Sequence, residues 1–200
     1  MTETVAKDEA IIREITQGAK SLFEKYGLKK TTMEDIAREI GKGKSALYYY
    51  FSSKEEIFEA VLEQEMNDLF RLTKQAVQNA ATARAKLKAY AQTRLGMMNK
   101  MTNLCQVVKK DILDHMCTVY AIKKKYNQAE IDLIREILAT GIKSGELKKI
   151  TRENIDLFAM LMVTSFRGFE IPVLVDDLEP DLDRRVGVLI DMLVEGIGKK

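Results

Sequence analysis

Apolar residues recur every three to four positions along most of the chain, which is the spacing of amphipathic α-helices. In the first part of the chain this period predicts a helix at 8–26, two short helices within 32–54, and a long helix that runs to about Asn79. Five further helices are predicted at 83–102, 104–125, 127–144, 152–175 and 181–198. Only two prolines interrupt this pattern, so we expect an all-α protein of about nine helices.

The two short helices within 32–54 have the spacing of a helix-turn-helix. Ala37 is small enough to let the helices approach, Gly41 permits the left-handed backbone of the turn, and Leu47 holds the second helix to the core. Thr32 precedes the first helix as a candidate N-cap. Since this motif places its second helix against DNA, the outward face of that helix is where function is expected.

That outward face carries hydroxyl and amino groups, which donate to phosphate oxygens and base edges. Three consecutive tyrosines at 48–50 point about 100° apart on a helix, so they cannot all be buried. Residues 25–54 contain seven Lys or Arg against three Asp or Glu, a net charge of +4, whereas residues 1–24 and 55–59 are net acidic. A positive patch this local indicates contact with nucleic acid.

Residues 9–60 resemble the N-terminal domain of the TetR family of bacterial transcriptional regulators. The segments that carry the resemblance are FEKYGLKKTT, MEDIAREIGKGKSALYYYF and SKEEIFEAVL. The family's usual Leu-Tyr-Tyr-His-Phe run is present with Tyr50 in place of the histidine. The resemblance implies a helix-turn-helix DNA-binding domain at 1–54 and a larger helical domain for ligand binding and dimerisation at 55–200.

The resemblance also implies which residues contact DNA. Those expected to approach bases are Lys44, Ser45 and Tyr48. Those expected to approach phosphates are Thr32, Gly43 (through its backbone amide), Tyr49, Tyr50 and Lys54, with Lys42 as a further phosphate contact. The alternative for the tyrosines is that they pack partly as core aromatics.

The last two helices are more apolar than the core of one subunit requires. Residues 157–163 carry no charge, and a helix that is apolar over most of its surface needs a second partner. The resemblance implies that this partner is the same pair of helices from a second subunit, with Leu161, Leu189 and Leu193 in the interface of a two-fold four-helix bundle. Burial of these helices within their own subunit is the alternative.

Methionine and aromatic residues are frequent in the middle of the larger domain, where the resemblance implies a cavity for a small-molecule inducer. Methionine adapts its shape to varied apolar guests, although any of these residues could instead be ordinary core packing. The expected lining is Met97, Met98, Met101, Met116, Tyr120, Met162, Phe166 and Phe169. The polar residues that could orient a ligand are Arg94, His115, Arg167 and Glu170.

Other kinds of site are poorly supported by the sequence. Cys105, Cys117 and the single His115 lack the clustered spacing of a structural zinc site, so neither metal nor cofactor is expected. Asp111 and Asp114 are the acid/base neighbours of that histidine, which does not make a defensible catalytic constellation. No run approaches the ~18 apolar residues of a membrane helix, and the acidic N-terminus is not a signal peptide, so we expect a cytoplasmic protein that does not contact membranes.

These observations predict a sequence-specific transcriptional regulator that is not an enzyme. We expect a repressor that binds a palindromic operator in double-stranded DNA as a homodimer and is released by a small apolar ligand. The alternative is an architectural or constitutive DNA-binding protein with a filled core and no inducer.

Overall fold

The computed structural model describes the backbone of residues 2–97, 116–175 and 182–197, and the side chains of 7–97, 117–168 and 185–197. Within these ranges the chain is all-α, as predicted, and forms eight helices with no strand. The helices are α1 (Thr2–Tyr26), α2 (Met33–Glu39), α3 (Lys44–Tyr50), α4 (Lys54–Asn79), α5 (83–97), α6 (Met116–Ser144), α7 (Ile155–Val175) and α8 (Leu182–Ile197).

Two glycines set the ends of the first helices. Gly27 follows α1 with φ +81°, and Gly41 follows α2 with φ +64°. Side chains other than glycine rarely adopt this left-handed backbone without strain. The turn predicted at Gly41 is therefore confirmed, and Gly27 ends α1 with the same left-handed backbone.

The chain divides into two compact units. The first contains α1, α2, α3, α4 as far as Met66, and the start of α6 as far as Ile122. The second contains α4 from Asn67, α5, α6 from Lys123, α7 and α8. Both changes of unit fall inside helices. The domain boundary predicted from the sequence, between residues 54 and 55 at the start of α4, stays a prediction.

The first unit is built on apolar faces of its four helices. Phe23 of α1 and Phe58 of α4 meet edge to face, with ring centroids 5.6 Å apart, an arrangement that aromatic pairs favour. Leu47 of α3 is fully buried, so α3 is held to the core from one side only. The buried residues of this core include Ile15, Ala19, Phe23, Ile36, Ala37, Leu47, Phe51, Ile57, Phe58 and Val61.

The second unit has a separate apolar core. Its members come from α4, α5, α6, α7, α8 and the turn after α6. They include Val77, Ala83, Leu87, Tyr90, Leu95, Ile134, Leu138, Leu147, Ala159, Val163, Val186, Ile190 and Val194.

One break between helices predicted from the sequence is wrong. A break was expected near residue 126, but α6 continues from Met116 to Ser144. No Gly or Pro interrupts the chain between residues 116 and 140, so the lysines at 123–125 lie within the helix and not in a turn. The predicted end of the next helix at residue 175 is confirmed, because α7 continues past Pro172 to Val175.

Close packing at Gly141 gives a test of the second unit's core. A Cβ at Gly141 would lie 2.6 Å from Leu147 Cδ1 and 2.8 Å from Ala83 Cβ. Overpacking costs about 1–3 kcal/mol, which exceeds the ~1 kcal/mol that alanine gains over glycine in a helix. We therefore expect Gly141→Ala to lower the free energy of unfolding by ~1 kcal/mol in urea titrations.

Gly96 of α5 is the matched control, because no described atom lies within 4 Å of a Cβ built there. Gly96→Ala should be neutral or stabilising, by up to about 1 kcal/mol. Equal stability of the two variants would contradict the packing at Gly141.

Candidate nucleic-acid interface

The outward face of α3 is rich in exposed hydrogen-bonding groups. Leu47 is buried on the inner side, while Lys44 and Ser45 are exposed on the outer side. Tyr48 is 49% exposed and Tyr49 is 78% exposed. The Lys44 ammonium lies 6.0 Å from the centroid of the Tyr48 ring, and Tyr49 packs edge to face on Tyr50 with ring centroids 4.8 Å apart. The face therefore presents an ammonium, a hydroxyl and two phenols to whatever approaches it.

The residues that precede α2 and α3, Thr32 and Gly43, are both exposed to solvent, but they cap their helices differently. Thr32 caps α2 as predicted: its hydroxyl accepts from the Asp35 amide at 3.2 Å, and its own amide donates to the Asp35 carboxylate at 3.0 Å. The hydrogen bond from the Thr32 hydroxyl lowers the pKa of Asp35, so this cap is complete above the usual carboxyl pKa and is lost as the pH falls. Gly43 occupies the N-cap of α3 without a side-chain cap, which leaves backbone amides for a ligand.

Carboxylates of α1 bind the last residue of α3 and a residue in the turn before it. The Tyr50 hydroxyl, at the last residue of α3, donates to Asp8 Oδ1 at 2.9 Å. Lys42, two residues before α3, pairs with Glu14 at 2.9 Å. The sequence did not identify Asp8 or Glu14 as site residues, and the acidic composition of residues 1–24 was the only signal available.

Lys54 was predicted to contact a phosphate, but its ammonium is occupied within the protein. Its Nζ lies 2.8, 3.3 and 3.0 Å from the carbonyl oxygens of Leu28, Lys29 and Thr31. These residues form the loop between α1 and α2, so Lys54 at the start of α4 reaches back across the first unit to hold that loop.

A groove of about 360 Å³ between α7 and α8 combines residues of two predicted sites. Leu161, Leu189 and Leu193 were expected in the dimer interface, and Met162 and Phe166 in the inducer cavity. All five line this groove, whose complete lining is Phe158, Leu161, Met162, Ser165, Phe166, Val186, Leu189, Ile190 and Leu193.

Two of the other predicted cavity residues, Met97 and Tyr120, are described and lie elsewhere. Met97 lines a different cleft, of about 530 Å³ between α4 and α5. Tyr120 is 68% exposed and belongs to the first unit. The structure describes only the backbone of Met116, Phe169 and Glu170, while Met98, Met101, Cys105, Asp111, Asp114 and His115 lie outside the described residues.

A buried ion cluster joins three helices of the second unit. Glu130 of α6 is 1% exposed and accepts hydrogen bonds from Arg94 of α5 and Arg167 of α7. Arg167 also donates to the Lys123 carbonyl at 3.1 Å. The two arginines were singled out from the sequence, but Glu130 was missed. Its place in the apolar stripe of α6, four residues after Tyr126 and before Ile134, was the available signal.

The described part of the chain offers no candidate metal site and no candidate membrane span. No group of His, Cys, Asp and Glu there is suited to hold a metal ion. Cys117 is exposed. No helix within the described ranges combines the length and apolarity that crossing a bilayer would need.

The chain is similar to known transcriptional regulators. Residues 15–61 match the family model described as bacterial regulatory proteins, tetR family. YfiR of Bacillus subtilis, an uncharacterized HTH-type transcriptional regulator, is 26% identical over 144 residues, which is 68% of each chain. The HTH-type transcriptional repressor KstR2 of Rhodococcus jostii is 26% identical over 137 residues, covering 68% of this chain and 67% of KstR2.

Solved structures share the fold. A transcriptional regulator from Cytophaga hutchinsonii is 28% identical, with a TM-score of 0.68 over 92% of this chain and 97% of the other. FadR from Bacillus subtilis, solved in complex with stearoyl-CoA, is 21% identical, with a TM-score of 0.66 over 92% of this chain and 98% of FadR. Regulators of this kind are generally not enzymes.

The contact between Tyr50 and Asp8 gives a titration test. The Asp8 carboxylate accepts the Tyr50 hydrogen bond and so raises the pKa of that phenol. Asp8→Asn removes the negative charge, and we expect the Tyr50 pKa to fall toward that of an ordinary tyrosine. NMR of ¹³Cζ-labelled tyrosine resolves the individual phenols, and Tyr50→Phe assigns the signal. An unchanged Tyr50 pKa in Asp8→Asn would contradict the contact.

Proposed function

Because the chain belongs to the TetR family of bacterial transcriptional regulators, we propose that it is a repressor that binds a palindromic operator in double-stranded DNA as a homodimer. A small apolar ligand in the C-terminal domain releases it from that operator. The observation that carries the proposal is the outward face of α3, where Lys44, Ser45, Tyr48 and Tyr49 stand exposed opposite the buried Leu47.

In this proposal α3 is the recognition helix. By the family resemblance, Lys44, Ser45 and Tyr48 approach base edges in the major groove, where the second helix of a helix-turn-helix lies. Tyr49 and the Gly43 amide bind phosphates on either side.

Three of the proposed phosphate contacts are paired with carboxylates in the free protein. The exposed Thr32 hydroxyl donates its one proton to Asp35 Oδ2 at 2.6 Å, so it donates to a phosphate only by giving up that hydrogen bond. Lys42 and Tyr50 hold carboxylates of α1, so a phosphate reaches either of them only by displacing Glu14 or Asp8. The net charge of +4 over residues 25–54 supports this interface.

Exposed apolar residues on α7 and α8 support the homodimer. On α8, Val186, Ile190 and Val194 are buried in the subunit's own core. The other side of the same helix exposes Val188, Leu189 and Met192 by 50–64%. Leu157, Met160 and Leu161 of α7 are about half exposed. A second copy of these helices would cover this surface, which burial within one subunit leaves open.

The proposed ligand class follows from apolar space in the second unit. The α7–α8 groove is lined almost entirely by apolar side chains. FadR, which has the same fold as this chain, was solved in complex with stearoyl-CoA, a ligand with a long apolar chain. The similarity to KstR2, which is named a repressor, supports repression.

Lys44→Ala tests the DNA interface. Fluorescence anisotropy against tiled DNA from upstream of the gene, with a scrambled duplex beside it, locates the operator. We expect Lys44→Ala to lose about 1–3 kcal/mol of operator binding, because the lysine donates to base or phosphate. Lys124→Ala removes the same charge from an exposed position on α6 and should bind as wild type does. Equal, salt-sensitive binding of wild type to native and scrambled DNA would instead favour an architectural protein.

Leu189→Glu tests the dimer. A carboxylate in the centre of the proposed interface would be buried without a partner, so we expect sedimentation of a folded monomer of about 22.8 kDa. Ala139→Glu places the same charge on an exposed position of α6 and should leave the dimer intact. A dimer that survives Leu189→Glu would remove α8 from the interface.

A further inference from the structure

The Lys54 ammonium is fully occupied by backbone of its own unit. A lysine ammonium has three N–H donors, and three carbonyl oxygens, of Leu28, Lys29 and Thr31, lie 2.8–3.3 Å from Nζ. A phosphate could be bound only if one or more of these hydrogen bonds were given up.

The position of Lys54 in its own helix supports the same reading. Lys54 is the first residue of α4, where the helix dipole disfavours a positive charge. The carbonyls that its ammonium reaches follow directly on the C-terminal end of α1, where a positive charge is favoured. The lysine therefore acts electrostatically on α1 and the loop after it, although the chain places it on α4.

The loop held by Lys54 leads directly into the proposed phosphate contact at Thr32. Gly27 begins the loop with φ +81°, and the buried Thr31 hydroxyl donates to the Gly27 carbonyl at 2.8 Å. Leu28 is 3% exposed and anchors the loop in the core. Lys54 completes this set by binding the Thr31 carbonyl, which is part of the peptide bond that joins Thr31 to Thr32.

We propose that Lys54 is a positioning residue that fixes the α1–α2 loop, and through it the Thr32 phosphate contact at the start of α2. The sequence had predicted that Lys54 contacts a phosphate directly; in this proposal it does not. This inference rests on the proposed DNA-binding function, but its first consequence is present in the protein without DNA.

Hydrogen exchange without DNA is the first test. In Lys54→Met the Asp35 amide, which donates to the Thr32 hydroxyl, should exchange at least tenfold faster, because the loop no longer fixes the cap. Lys44→Ala, the control, should leave this amide unchanged. Unchanged Asp35 exchange in Lys54→Met would overturn the proposal, whatever the protein binds.

Operator binding is the second test and uses a double-mutant cycle. Lys54→Met should weaken binding about tenfold in the wild-type background and less than twofold in Thr32→Ala, since Lys54 acts through Thr32. Because Thr32 is uncharged, the slope of log K against log salt should stay as in wild type, whereas loss of a phosphate contact made by the Lys54 ammonium itself would reduce its magnitude by about 0.9. Additive losses with a lowered slope would overturn the proposal. If Lys44→Ala also binds as wild type does, it is the proposed interface that fails.

A measurement on the wild-type protein covers the case in which Lys54→Met does not fold. In the free protein the Lys54 Nζ hydrogens should exchange slowly with solvent. The ¹⁵Nζ chemical shift should not change when operator is added. A new scalar coupling between Lys54 Nζ and a DNA ³¹P nucleus would show a phosphate contact and overturn the proposal.

Discussion

The burial of Leu47 is the constraint on which the rest of the DNA-binding unit depends. Helix α3 has seven residues, and isolated helices shorter than about 12–15 residues are marginal in water. The helix therefore exists because Leu47 is fully buried against the core and because Asp8 and Glu14 hold its ends. With the inner side fixed in this way, the outer side is available for hydrogen-bonding groups that are not part of the core.

The second unit depends on a different kind of contact. Glu130 is buried and charged, and removing either partner of such a pair leaves an uncompensated charge in the core. Arg94, Glu130 and Arg167 come from three different helices. A movement of α5, α6 or α7 that separates these side chains would therefore break the cluster. We expect the cluster to favour one arrangement of these helices, since moving one member away leaves another buried charge without its partner.

Local signals account for most of what the sequence predicted. The cap at Thr32, the turn at Gly41 and the buried Leu47 each depend on residues a few positions apart, and all three are confirmed. The contacts of Lys54 with Leu28, of Tyr50 with Asp8 and of Glu130 with Arg94 and Arg167 join residues 26 to 42 positions apart, and no periodicity reports them. The lining of a cavity was least accessible to prediction, because apolar residues that line a space and apolar residues that pack have the same pattern.

The carboxylates on α1 have a consequence for how a regulator with the proposed interface would search a genome. Lys42 is paired with Glu14, and Tyr50 donates to Asp8. A phosphate that binds either residue must displace a carboxylate, so the contact exchanges one anion for another and contributes less binding free energy than a contact with an unpaired group. The exchange applies equally to every DNA sequence, because all duplexes offer the same phosphates. It lowers the residence time on random DNA, and a protein that leaves random sites sooner samples more of the chromosome before it reaches its operator.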